Sequence, residues 1–169
     1  MNKIILIIAG LVVSAGAFAQ NNEMISLGAG YSNQSFYSFT NGEVANVDNT
    51  NWDIAFSVSG MGSAIRVNGG YGLELYTYPN GDINDWSSLD TVGMSSWSSQ
   101  INSDESWNLG AFDQNADENE AFDLGWGIYS MITHYITGDS LHVLKWADGT
   151  TKKFQVIQLA SGTYSFRCA

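Results

Sequence analysis

The chain has one cysteine, one proline and two histidines in 169 residues. With Cys168 alone, no disulfide can form within it. Bases are also scarce: six Lys and Arg stand against 17 Asp and Glu, a formal net charge of −11. No broad basic face can assemble from so few, which argues against nucleic acid or an anionic membrane as a partner. After the first nineteen residues no apolar run reaches the roughly 20 residues that a spanning helix needs, so no membrane insertion is expected. The short signatures of catalysis are missing too. H-E-x-x-H, G-x-S-x-G, a phosphate-binding loop and a cysteine pair do not occur. The chain therefore reads as non-catalytic.

What is present begins with an export signal. Met1-Asn2-Lys3 is a short positive start, Ile4 to Val13 is an apolar core, and Ala17-Phe18-Ala19 is a small-x-small cleavage site. Residues 1–19 are thus expected to leave, giving a secreted or periplasmic protein of one domain, residues 20–169. Gln20 stands where a lipoprotein would carry its acylated cysteine, so no lipid anchor is expected.

Glycine, Ser, Thr, Asn and aromatic residues dominate the remainder, and no window sustains a 3.6-residue apolar repeat. Alternation of period two points instead to strands. The expected class is all-β, with antiparallel sheets, projecting β-hairpins and a C-terminal four-strand meander. In that meander Gly127 to Thr137, Ser140 to Trp146, Thr151 to Leu159 and Thr163 to Arg167 are strands. Gly138-Asp139, Asp148-Gly149 and Ser161-Gly162 would be the turns, because such pairs accept positive φ. Further strands are expected at Glu23 to Leu27, Gln34 to Thr40, Gly42 to Val47, Trp52 to Ser57, Ala64 to Val67 and Leu73 to Tyr78. Asn41-Gly42 marks a hairpin. Residues Pro79 to Asp123 show weak periodicity and read as long loops or irregular hairpins, the usual place for binding on a β scaffold. Asp117, Glu118 and Glu120 lie there in an Asn-rich stretch without the ligand offsets of a calcium loop.

If Gly138-Asp139 is a two-residue turn, Tyr135 faces His142 and His134 faces Val143. The two imidazoles then point to opposite sheet faces and share no metal. Met131 suits gap-filling in a core. Trp86, Trp97 and Trp107 in the irregular middle are able to staple loops or to stack on a flat ligand.

Two ordered sets of segments carry a family resemblance. Phe36 to Val44 (FYSFTNGEV), Asn51 to Phe56 (NWDIAF) and Ile65 to Asn68 (IRVN) form the first. Gly125-Trp126, Leu141 to Trp146, Ala147-Asp148-Gly149, Lys153 to Val156 and Gly162 to Phe166 form the second. In order and spacing, from about Phe36 to Arg167, the chain resembles the HmuY-like haem-binding proteins of Bacteroidetes. The resemblance implies an all-β haemophore with finger-like hairpins, haem as cofactor, an outer-membrane receptor as partner, and iron acquisition without catalysis. It also implies two axial iron ligands, one in the divergent middle and one soon after the Gly-Trp pair. Met94 is the soft donor in the first stretch; Met131 and His134 are the candidates in the second. Trp97, Trp107 and Tyr129 would flank the ring. The alternative is a secreted β module of the same fold that binds glycan or protein, for adhesion, without haem ligands.

Overall fold

The computed structural model describes residues 22–57 and 62–169. The export signal expected at residues 1–19 lies outside them.

Eleven strands, all in antiparallel pairs, form the described fold, joined by short 3₁₀ turns. β1 (Asn33–Ser38) and β2 (Gly42–Asp48) make a separate two-stranded ribbon. Gly42, at φ +77°, takes the left-handed conformation that closes this projecting hairpin. A second ribbon pairs β3 (Ile54–Phe56) with β4 (Ile65–Val67). The expected strand at Glu23 to Leu27 is absent: those residues carry no regular structure and are exposed.

The remaining strands form one seven-stranded sheet. They are β5 (Glu74–Thr77), β6 (Ser99–Gln100), β7 (Gly127–Tyr129), β8 (Ile136–Gly138), β9 (His142–Lys145), β10 (Thr151–Ala160) and β11 (Thr163–Cys168). The ten-residue β10 organises it. β11 runs along one edge of β10, while β9 and β8 share the other, pairing with its first and second halves.

Two of the expected tight turns are where the sequence puts them. Ser161 and Gly162 have φ of +50° and +76°, so Ala160 and Thr163 pair directly across a two-residue turn. Gly149, at φ +87°, closes the turn between β9 and β10. Gly138-Asp139 is corrected. Neither residue has positive φ, and β8 pairs with β7 and β10, not with β9. Thr137 lies opposite Gln158 and His142 opposite Phe154, so residues 138–141 form a bulge of one extra residue in a single interrupted strand. Gly138 is required there for a different reason. A Cβ on it would strike the carbonyl oxygen of Val156 in β10. The expected strand Gly127 to Thr137 is accordingly a hairpin, β7–β8, whose connection spans residues 130–135.

Strand alternation gives this sheet two unlike faces. Leu75, Leu144, Phe154 and Val156 point to the inner face, against Ile65 and Val67 of the β3–β4 ribbon, Phe112 and Trp126. Trp126 is fully buried and donates from Nε1 to the Ser63 carbonyl at 3.2 Å. Val143, on the outer face, packs with Leu89, Leu141, Tyr78, Trp86, Met94 and Trp97. The segment between Pro79 and Asp123 is irregular as expected, built of 3₁₀ turns and the two residues of β6.

Candidate functional site

The β7–β8 hairpin and its neighbours enclose a groove of about 520 Å³. Its walls are mainly apolar: Phe122, Leu124, Ile136 and Leu159 contribute carbon, with Tyr129, His134, Ser63 and Ser161 as the polar residues. The volume falls within the range of small-molecule sites. Tyr129 pairs with Ile136 across the hairpin, and its backbone N–H donates to the Phe122 carbonyl at 2.9 Å. That bond sets the Phe122 and Tyr129 rings 6.2 Å apart along one wall.

His134 owes its place to the turn. The Ser130 N–H donates to the Tyr135 carbonyl and the His134 N–H to the Ser130 carbonyl, both at 2.8 Å. The Ser130 hydroxyl accepts from the backbone of Ile132 and Thr133. His134 ends the turn at φ +59°, a left-handed conformation uncommon outside glycine. Its Nδ1 lies 2.7 Å from the Tyr129 hydroxyl. With the proton on Nδ1 donated to that hydroxyl, Nε2 keeps its lone pair, the arrangement that orients metal-binding imidazoles.

The structure distributes the other candidates differently. Met131 is in the same turn as His134 and 65 % exposed, so it fills no core gap. Met94 and Trp97 pack on the outer sheet face with Leu141 and Val143. Trp97 meets Tyr76 and Tyr78 edge-on. Trp107 is 74 % exposed and covers the Arg66 guanidinium at 4.8 Å. Tyr129 and His134 are therefore brought together; Met94, Trp97 and Trp107 are not brought to their groove. Leu159 and Phe122, which complete the groove, carried no signal in the sequence because their role depends on the hairpin folding over β10.

His142 is not the partner of Tyr135. It is fully buried, opposite Thr77 and Phe154, with its ring edge-on to Phe112 at 4.7 Å. Nδ1 lies 3.4 Å from the Thr77 hydroxyl, and Nε2 has no partner among the described residues. Burial pushes its pKa down to about 3, which keeps the imidazole neutral. Asp113 is the opposite case: burial pushes its carboxyl up to about 7, against the backbone N–H donors of Gly110 and Ile65. Among the described residues no group of three or more His, Cys, Asp and Glu is placed to hold a metal ion. No family model, curated protein or solved structure matches the chain.

Proposed function

We propose that this is an exported, non-catalytic binding protein that takes a flat apolar ring, haem or a related porphyrin, into the groove under the β7–β8 hairpin. The observation that carries the reading is His134 at the groove. It is the one imidazole of the chain's two that solvent reaches, and it is oriented by Tyr129 within a largely apolar wall. Haem iron is commonly held by one proximal histidine, and His134 is the residue here that would supply that bond. Met131 leaves the same turn and would approach from the same side, while Met94 belongs to the other sheet face. The donor set thus fits a single imidazole rather than a clamp of two side chains. The ordered resemblance to the HmuY-like haemophores supports the same ligand. Export by the signal at residues 1–19, and transfer of the ring to an outer-membrane receptor in iron acquisition, complete the reading.

The test is a haemin titration of residues 20–169, read by difference absorbance in both oxidation states. A saturable Soret shift in the natural protein that His134→Ala abolishes and Met94→Ala leaves intact is expected. A flat titration at micromolar protein, or a shift unchanged in His134→Ala, would overturn the reading.

A further inference from the structure

A second cleft, of about 500 Å³, lies between the β1–β2 ribbon and the β3–β4 ribbon. Alternation along β1 turns Gln34 and Phe36 to the same side, and Val47, opposite Gln34 in β2, joins them. Trp52, Arg66 and Trp107 form the facing side. Three aromatic rings therefore meet in one open cleft, and none of them is consumed by the core. Phe36 is 48 % and Trp107 74 % exposed.

Arg66 explains how Trp107 is held so far out. Its two terminal nitrogens donate to the carbonyls of Ser103, Ser106 and Leu109 at 2.9 to 3.2 Å, pinning the loop that carries Trp107. The guanidinium then supports that ring. Among the described residues Nε has no hydrogen-bond partner, nor has the Gln34 amide, so both remain available to a ligand. At the cleft's edge Gly69 and Gly70 present bare backbone.

Charge narrows the class of ligand. The chain's net charge is −11, yet among the described residues no carboxylate lines this cleft. A cationic ligand would find no counter-charge in it, and a polyanion would be repelled by the molecule as a whole. A neutral ligand with hydroxyl groups and flat apolar faces meets both conditions. Pyranose rings whose hydroxyls are equatorial have that shape: their C–H faces stack on aromatic rings and their hydroxyls take donors such as Nε–H and an amide.

We infer that this cleft is a carbohydrate-binding site for a neutral, β-linked oligosaccharide of gluco configuration, with Trp107 and Phe36 as the stacking platforms. It is separate from the groove at His134 and independent of the porphyrin reading. Calorimetric titration of residues 20–169 with cellohexaose and with N-acetylchitohexaose tests it. Saturable binding of at least one of them is expected. Trp107→Ala and Phe36→Ala should each weaken it by roughly tenfold or more, the loss typical of a truncated aromatic anchor. Trp107→Phe should retain most of it. Phe39→Ala, at the fully exposed tip of the same hairpin, and His134→Ala should leave it unchanged. Heat-free titrations with both oligosaccharides up to millimolar concentration, or binding undiminished in both Trp107→Ala and Phe36→Ala, would overturn the inference.

Discussion

The two faces of the seven-stranded sheet use aromatic residues in opposite ways. On the inner face, Phe112, Trp126 and Phe154 are buried to within 2 % of complete exclusion from water and pack on one another and on aliphatic side chains. On the outer face, Trp86 and Trp97 are half-buried, and Trp86 shares its surface with cations. Arg167 lies 4.3 Å and Lys153 5.7 Å from the Trp86 ring centre. Two of the chain's six bases are thus spent on one indole. The inner face is held by removal of apolar area from water, the outer by an aromatic cover that cations and hydrogen bonds fix in place. A ring contributes most where it is dry, and it stays adaptable where it is not.

The sharpest way to break this contrast is Trp126→Ala, which removes a fully buried ring and leaves the Ser63 carbonyl without its donor. A loss of about 3–5 kcal/mol in denaturant unfolding is expected.

Next in size is a pH effect confined to the inner side. His142 has its pKa lowered from 6.5 to about 3, so the unfolded chain takes up that proton first and stability falls as pH drops through this window. Asp113 has its pKa raised from 3.8 to about 7, so the folded chain takes up that proton first and stability rises as pH drops. Between pH 3.8 and 6.5 the two slopes oppose each other. His142→Leu should therefore make the protein relatively more stable on acidification from pH 6 to 4, by roughly 1 kcal/mol per pH unit relative to the natural chain. Asp113→Asn should shift the slope the other way. Urea unfolding at pH 4, 5 and 6 checks both; parallel curves for the two variants would disprove the opposition.

On the outer face, Trp86→Ala should cost about 2 kcal/mol, less than Trp126→Ala, because the ring is only half-buried and its two cation contacts are modest. Equal losses at Trp86 and Trp126 would erase the contrast between the faces. The smallest expected difference separates two methionines. Met94→Ala should destabilise by about 1–2 kcal/mol through its packing on Leu141 and Val143. Met131→Ala, largely exposed, should stay within about 0.5 kcal/mol of the natural chain.

Local chemistry by itself determined a good deal. Alternation of apolar residues gave the all-β class, and Ser161-Gly162 and Asp148-Gly149 marked turns correctly because Gly149 and Gly162 reach positive φ without steric cost, whatever surrounds them. Gly138-Asp139 carries the same local signal, yet it is a bulge, since Gly138 answers to the approach of the Val156 carbonyl in β10. That contact lies some eighteen positions further along the chain, beyond the reach of any turn rule. The same cause hid the sites. His134 and Tyr129 stood out as residue types, but their hydrogen bond exists only because residues 130–135 turn back on themselves. His142 gave no sign that it is sealed under Phe112. Phe36 and Trp107 face one cleft only once the two ribbons have packed. Backbone preference is local and can be read from neighbours in sequence; burial, register and convergence depend on partners in space, and these the tertiary structure alone decides.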